Sequence, residues 1–354
     1  MRSPGTLLIL ASGVCYGAMA IFGKFAYDAG ATVGTVLVVR FTLAAALFWL
    51  IVLAGRAARA ELRNLPRRDV LMALGLGAVG FAIQASCYFG ALARMDASLL
   101  TLFLYTFPAM VAVAAVVLGR DHFDRRRAAA LALALGGLAL VVASTGLGRL
   151  DALGVALSLA AAVVYSAYIL TSEPISGRVR PDVLSALVCT GAAVTLAIGA
   201  IVAGDLHPGA VDPSGWIALL AIAVVSTVAA VGLFFGGLRR IGPTRASILS
   251  TAEPVVTVSL AVVVFGEAFG PLQVIGGALV LSAVFVLNVR RLGRVVEPDD
   301  AREPVLVRSF GLDHPGLAEP VAAAAAGVAA LGAEPKVVLL RQPVVGRAFA
   351  QRDQ

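Results

Sequence analysis

A glutamate and an arginine lie inside long apolar runs of the chain, where ionisable side chains are costly to bury. Glu253 falls near the middle of the run 243–265 and is followed by Pro254, and Arg40 falls in the run 32–54. Charged groups at membrane depth cost a few kcal/mol, so both are candidates for function. Glu253 could hold a cationic group of a substrate or exchange a proton. It could equally be a structural acid, bonded to Arg40 or to backbone groups that Pro254 leaves free.

Polar-tipped side chains also occur within the apolar runs, away from the ends where aromatic belts form. A hydroxyl or an amide at depth needs a partner, so we expect some of these side chains to line one cavity, although each could instead bond two helices. The predicted substrate-binding residues are Glu253, Tyr16, Gln84, Tyr88, Tyr105 and Tyr165, with Tyr168 as a further polar residue at depth. Arg40 is interpreted mainly as a structural residue that pairs with an acid or with helix-end carbonyls.

These residues belong to a duplicated chain. A shift of 146 residues places Pro108 on Pro254, and a weaker echo at 149 relates Tyr16 to Tyr165. A proline inside a helix bends it and frees a carbonyl, which suits a helix that lines a cavity or moves, and a packing kink without a gating role is the alternative. The other matched pairs are Phe89 with Phe235, Gly90 with Gly236, Leu92 with Leu238, Arg94 with Arg240, Ser98 with Thr244, and Asp121 with Glu267.

The composition is that of an integral membrane protein. Apolar residues make up 60% of the chain, charged residues 14%, and the mean hydropathy is +0.93. A soluble protein has about 25% charged residues. The net charge of +7 does not indicate nucleic-acid binding, because the basic residues lie in short loops between apolar runs.

Windows of about 20 apolar residues predict an all-α protein with ten transmembrane helices. Each half has five helices, which is an odd number. The second half therefore enters the membrane from the opposite side, and the repeats are inverted. The predicted halves are residues 1–146 and 147–292. The predicted spans are 6–25, 32–54, 70–93, 97–119, 127–146, 151–171, 183–204, 214–238, 243–265 and 270–289.

The placement of basic residues supports ten spans and predicts their orientation. With a cytoplasmic N-terminus, 18 basic residues fall on the cytoplasmic side and three, Lys24, Arg94 and Arg149, on the other. This asymmetry predicts that both termini are cytoplasmic in a multi-pass protein of the plasma (inner) membrane. Residues 293–354 are polar and rich in proline, which predicts a largely disordered cytoplasmic tail.

Several other classes of site find no support. Cys15, Cys87 and Cys189 lie inside apolar runs without metal-ligand spacing, so we expect no disulfide, metal or cofactor. The sequence contains no Walker loop, HExxH or GxSxG motif, which argues against ATP-driven transport and the common intramembrane hydrolases. The spacings Gly13-x3-Gly17 and Gly232-x3-Gly236 allow close helix approach and leave a homodimer open. The expected partners are a small-molecule substrate and the lipid bilayer.

The motifs of the second half resemble the EamA-type branch of the drug/metabolite transporter superfamily. The resemblance rests on two five-helix halves, the matched Pro108 and Pro254, Phe265-Gly266-Glu267 closing the ninth span and Ile275-Gly276-Gly277 opening the tenth. The first half departs from the pattern, with Gly119-Arg120-Asp121 where Gly-Glu-Arg is usual and Ala130 at the position of a glycine. Arg40 resembles an arginine often found in the family's second helix.

The resemblance implies a central cavity formed by helices one, three, four, six, eight and nine. It also implies transport of amino acids, other small metabolites or drugs, often outward and by proton-coupled antiport or exchange. We expect a secondary transporter working by alternating access, which exports an amino acid or a similar small polar metabolite. An exporter of hydrophobic or cationic drugs is the first alternative. A non-transporting membrane sensor and an intramembrane enzyme are the alternatives of another class.

Overall fold

The computed structural model describes residues 4–119, 124–145, 150–267 and 270–293. These residues are mostly helical, and none of them forms a β-strand. The helices are α1 (Pro4–Gly17), α2 (Met19–Asp28), α3 (Val33–Ala54), α4 (Arg56–Asn64), α5 (Arg67–Gly75), α6 (Ala82–Leu92), α7 (Ala97–Leu104), α8 (Phe107–Val117), α9 (Arg125–Thr145), α10 (Ala152–Ser176), α11 (Pro181–Val202), α12 (Pro213–Ala223), α13 (Ala230–Leu249), α14 (Ala252–Phe265) and α15 (Pro271–Gly293). The predicted tail after Gly293 and the matched Asp121 lie outside the described residues.

The helices agree with the predicted membrane class. Eight helical stretches are long and apolar enough to cross a membrane, and two shorter apolar helices, Ala252–Phe265 and Pro271–Leu287, follow them. Most of these stretches begin and end within a few residues of the predicted spans. The described chain is therefore an all-helical, multi-pass membrane protein.

Two features differ from the predicted spans. The run 243–265 is not one helix, because α13 continues from the preceding span through a kink at Gly242, whose φ is 77°, and α14 begins only at Ala252. The short helix α4 was not predicted. Its Ala58 is buried and its Leu62 packs against the core, so α4 lies along one end of the bundle.

Three stretches are interrupted at mid-length: at Ala18 between α1 and α2, at Tyr105–Thr106 between α7 and α8, and at Ser250–Thr251 between α13 and α14. Pro108 and Pro254 lie in the first turns of α8 and α14, where the missing N–H has no helical partner to lose. The Thr106 hydroxyl donates to the Phe103 carbonyl at 2.7 Å, and the Ser250 hydroxyl donates to the Ala246 carbonyl at 2.9 Å. These hydroxyl bonds add to the backbone bonds that the same carbonyls already accept from Thr106 N and Ser250 N.

Two further irregular segments occupy corresponding places in the halves. Leu76–Phe81 joins α5 to α6 as a π-helical segment, and Val224–Ala229 joins α12 to α13 in the same way. Their first residues are 148 positions apart, close to the shift that relates the prolines. Such π segments are rare and frequently accompany functional sites.

Contacts between loops fall into two groups at opposite ends of α3. Gly34 at its start binds Asp205, and the neighbouring loops bring Ala29 against Asp212, Phe25 against Phe265 and Ala97 against Glu267. We call this the Glu267 end. Beyond the last residue of α3, Glu61 contacts Arg180 and Asp69 contacts Arg178, and we call this the Glu61 end.

The linker between the halves is also fixed at the Glu267 end. Asp151 precedes α10 and its carboxylate accepts a hydrogen bond from the Gly154 N–H at 2.6 Å, with Arg94 at 3.4 Å. The bond from Gly154, with help from Arg94, lowers the pKa of Asp151. The carboxylate therefore caps α10 as an N-cap acid does.

Candidate functional site

The carboxyl group of Glu253 lies at the junction of two broken helices. Glu253 is in the first turn of α14, and Tyr105 is the residue at which α7 ends. The side chains of these two residues lie close enough to interact electrostatically. A residue from the first half thus partners the acid of the second half.

Three more of the predicted tyrosines surround this acid. Tyr16, Tyr88 and Tyr165 all lie within electrostatic reach of the Glu253 carboxylate. They come from α1, α6 and α10, so five helices contribute to one cluster. Glu253, Tyr16 and Tyr165 are half-buried.

Gln84 is the member of the predicted set that the structure does not bring to the acid. It lies one turn before Tyr88 on α6 and is half-buried. Within the described chain, no polar contact joins Gln84 to Glu253. Its predicted part in substrate binding stays a prediction.

A row of aromatic rings leads away from the acid. The ring of Phe107 lies 5.7 Å from Tyr105 and 4.8 Å from Tyr165, and Tyr165 stacks on Tyr168 at 6.4 Å. Tyr168 then stacks on Phe81 at 5.5 Å. Phe107 was not singled out in the sequence, yet the shift of 146 places it on Glu253, so equivalent positions of the two halves face the same site.

Arg40 makes contacts other than the expected pair with an acid. Its Nε donates to Thr227 Oγ1 at 3.1 Å, and its guanidinium lies 4.8 Å from the ring centre of Phe41 and 5.4 Å from that of Phe89. In the described part of the chain, no carboxylate lies within ion-pair distance of it. Thr227 Oγ1 itself donates to the Ile222 carbonyl at 2.9 Å. Arg40 therefore holds the π segment Val224–Ala229 in place.

The glycines of α1 let that helix approach the acid closely. A Cβ atom built on Gly17 would lie 3.1 Å from the Glu253 carbonyl oxygen and 3.0 Å from a methyl of Val256. One built on Gly13 would lie 3.7 Å from the Glu253 nitrogen. The Gly13-x3-Gly17 spacing thus packs α1 on the start of α14, whereas no atom lies within 4 Å of a Cβ on Gly232.

Carboxylates from one half cap helices of the other half. Asp205 accepts a hydrogen bond from Gly34 N at 2.7 Å at the start of α3, and Glu61 accepts one from Arg180 N at 2.6 Å at the start of α11. Glu267 accepts two, from Ala97 N at 3.0 Å and from Ser98 N at 3.2 Å, at the start of α7. The sequence analysis noted Glu267 only as a motif, because spacing along the chain does not show which helix a loop acid will cap.

The described residues contain no group of three or more His, Cys, Asp and Glu side chains that could hold a metal ion. The chemistry available at the cluster is therefore that of one carboxylate, phenol hydroxyls and aromatic faces. A carboxylate framed by aromatic faces can bind an organic cation, or bind a proton when the cation is absent.

Comparison with known proteins points to one family. The model of the EamA-like transporter family matches residues 3–143 and again residues 152–289. The chain is 29% identical over 294 residues to the uncharacterized transporter YcbK of Bacillus subtilis, a match covering 81% of this chain and 94% of that protein. It is 26% identical to a probable amino-acid metabolite efflux pump of Salmonella typhimurium, covering 65% of this chain and 82% of the pump.

A solved structure described only as a crystal structure of a protein shares the fold. It is 22% identical in sequence, has a TM-score of 0.58, and is matched over 84% of this chain and 100% of its own. At that identity the likeness bears on the fold alone.

Proposed function

Because the chain belongs to the EamA-like transporter family, we propose that it is a secondary transporter that carries a small amine-bearing metabolite, such as an amino acid, by alternating access. The observation that carries the proposal is the Glu253–Tyr105 pair at the breaks of two helices. Transporters place their sites near mid-membrane, on discontinuous helices contributed by both repeats.

The proposed architecture is ten spans in two inverted halves, 1–146 and 147–292. Three observations support it: the family model matches the chain twice, the π segments recur 148 residues apart, and carboxylate caps are exchanged between the halves. Asp205 caps α3 at one end of the bundle and Glu61 caps α11 at the other, as a two-fold axis in the membrane plane requires. With the basic residues inside, both termini are cytoplasmic and the membrane is the plasma membrane.

The cargo is inferred from the chemistry around Glu253. A protonated amine would gain Coulomb attraction from the carboxylate and cation–π attraction from the faces of Tyr105, Phe107 and Tyr165. The printed name of the Salmonella relative, an amino-acid metabolite efflux pump, supports an amino acid and the outward direction. We keep export of a hydrophobic or cationic drug as the second candidate, because the aromatic row through Tyr168 to Phe81 could hold a larger apolar group.

Glu253 also offers a route for coupling to protons. One carboxylate can hold the amine or a proton, and either ligand neutralises it at membrane depth. Exchange of the two on the same group would give proton-coupled antiport, because the empty charged site is the costly state. This step uses only residues of the chain and no metal or cofactor.

Transport by the full chain in reconstituted vesicles tests the proposal. Vesicles with an imposed pH gradient are screened against amino acids, other amines and a quaternary ammonium drug. We expect Glu253→Gln to abolish the response of transport to pH. Asp28→Asn, which removes an exposed carboxylate at the end of α2, should leave it unchanged. Undiminished coupling in Glu253→Gln would reject the role of the acid, and an absence of transport for every compound would reject the cargo class.

A further inference from the structure

The start of α7 is held by an acid from the other half of the chain. Both oxygens of Glu267 are used: Oε1 accepts from Ala97 N at 3.0 Å and Oε2 from Ser98 N at 3.2 Å. These are first-turn amides, which have no partner within their own helix. Asp96 is the N-cap residue of α7, yet its side chain makes no capping bond and is exposed.

The interrupted spans pack tightly at this end. All residues from Ala97 to Phe103 on α7 are buried, α7 lies against α14, and Phe25 of α2 contacts Phe265 of α14 with ring centres 5.4 Å apart. The helices α2, α7 and α14 thus contact one another on the Glu267 side of the Glu253 cluster. The start of α7 is therefore covered at the Glu267 end.

The continuation of the same span toward the other end packs differently. From Met110 to Val116 on α8 no residue is fully buried, so every side of the helix keeps accessible surface. Its neighbours are chiefly α9, α10 and α15 rather than the span that carries Glu253. This span is therefore buried toward the Glu267 end and more accessible toward the Glu61 end.

The caps on α3 and α11 do not follow this asymmetry. Asp205 caps α3 at the Glu267 end while Glu61 caps α11 at the Glu61 end, and α3 and α11 lie against each other along their length. Each end of the bundle therefore has one of these two caps, and neither cap distinguishes the Glu267 end from the Glu61 end. Glu267 caps α7 at the Glu267 end, and its counterpart in the first half, Asp121, lies outside the described residues.

We propose that Glu267 is the latch of this end of the transport path, and that opening exchanges its capping bonds for bonds from Asp96. This rests on the proposed transport function. A side chain at an N-cap accepts from the second or third amide of its helix, so the unused Asp96 carboxylate can reach Ser98 N or Leu99 N once Glu267 leaves. The exchange keeps the start of α7 capped in both states, which lowers the cost of opening.

The test measures accessibility without substrate. Ser98→Cys is the reporter, because the Ser98 side chain is 1% exposed and its hydroxyl has no partner, and the three native cysteines are replaced. A membrane-impermeant maleimide is added on the Glu267 side of vesicles containing the full chain. We expect Glu267→Ala to speed labelling about tenfold or more, since charge-assisted bonds that hold the closed state are lost. Glu267→Gln keeps one acceptor oxygen, so its labelling rate should lie between those of the unmodified chain and Glu267→Ala.

Asp96→Ala should have the opposite effect on the labelling rate. This substitution removes the cap of the open state only, so labelling should slow. If the two acids had only a structural role, both Glu267→Ala and Asp96→Ala would loosen the protein and speed labelling. Asp205→Ala is the matched control, a cap from the same end that is lost without opening the path, and it should leave labelling unchanged.

An unchanged labelling rate in both Glu267 variants, or an equal rise in Asp205→Ala, would overturn the latch. If Glu267→Ala does not fold, Glu267→Gln carries the comparison. Because no cargo is needed, a negative result with transport intact rejects the latch alone, whereas loss of transport in every variant concerns the proposed function.

Discussion

At Glu253 a single carboxylate is shared by groups from both halves of the chain. Its backbone is contacted by α1, its side chain by Tyr105 of α7, and the hydroxyls of α1, α6 and α10 lie within electrostatic reach. The equivalent position in the first half is Phe107, an aromatic face rather than an acid. Of these two equivalent positions, only the one in the second half carries an acid, which suits binding of one charged group at a time.

The Tyr105 hydroxyl is expected to fix the Glu253 carboxylate for the amine of the cargo. Tyr105→Phe keeps the ring beside Phe107 and removes only the hydroxyl that interacts with Glu253. A bond to a charged group contributes about 1.5–3 kcal/mol, so we expect roughly tenfold or greater weakening of the apparent affinity for the transported amine. The KM for transport in vesicles is the measurement.

Tyr168→Phe is the matched control for this prediction. Tyr168 lies in the same aromatic row, stacked between Tyr165 and Phe81, and its hydroxyl has no described contact with Glu253. The KM of this variant should stay within about twofold of the KM of the unmodified chain. That change is well below the one expected when a bond to a charged group is lost. An equal effect of both substitutions would mean that the row acts through its shape and that the carboxylate needs no partner.

The candidate residues could be found from the sequence because polar groups at membrane depth stand out against an apolar background. Glu253, Gln84 and four tyrosines were predicted to bind substrate, and this role stays a prediction. In the structure the four tyrosines lie within electrostatic reach of Glu253. Phe107 and Thr227 could not be found in this way. A phenylalanine in an apolar run carries no signal, and the bond of Thr227 to Arg40 joins residues 187 positions apart.

At the scale of the helices, the breaks set the positions of the functional groups. Tyr16, Tyr105 and Glu253 each lie within two residues of a break. The prolines made a bend predictable, but not the position of the irregular turns at Tyr105–Thr106 and Ser250–Thr251. The short helix α4 was also missed, since its arginines were read as topology signals and not as one face of a helix.

Close packing of α1 on α14 should be necessary for the site. Gly17→Ala places a methyl group 3.1 Å from the Glu253 carbonyl oxygen, tighter than ordinary contact, so α1 must move away from the acid. Small residues permit such helix contacts in membranes, and overpacking costs about 1–3 kcal/mol. We expect a transport rate at least about fivefold lower, with a lower melting temperature in detergent.

Gly232→Ala tests whether any glycine-to-alanine change in a Gly-x3-Gly spacing has this effect. No atom lies within 4 Å of a Cβ at Gly232, so the added methyl group meets open space. Alanine also favours a helix over glycine by about 1 kcal/mol. The melting temperature should therefore be unchanged or higher and transport should be preserved. A loss of transport equal to that of Gly17→Ala would contradict the packing account.

At the scale of the whole molecule, the loop contacts support the proposed inverted repeat. The described contacts between loops stay within one end of the bundle, and the acid caps on α3 and α11 join the two halves of the chain, one cap at each end. The sequence predicted this plan from the 146-residue shift and the odd number of spans per half. It could not show which elements close the path, because that depends on which loop acid reaches which helix.

The orientation of the two ends is the last prediction. The predicted topology assigns eighteen basic residues to the same side as Glu61 and Arg180, so this end should be cytoplasmic. The residues for labelling are exposed: Arg63 at the Glu61 end, and His207, whose N–H bonds the Thr35 hydroxyl at the Glu267 end. With the native cysteines replaced, an impermeant maleimide should label His207→Cys in intact cells. Arg63→Cys should react only after permeabilisation. Labelling of both from outside would put the loops after the second and seventh spans on one side, which two inverted five-helix halves do not allow, and the alternating-access mechanism would lose its structural basis.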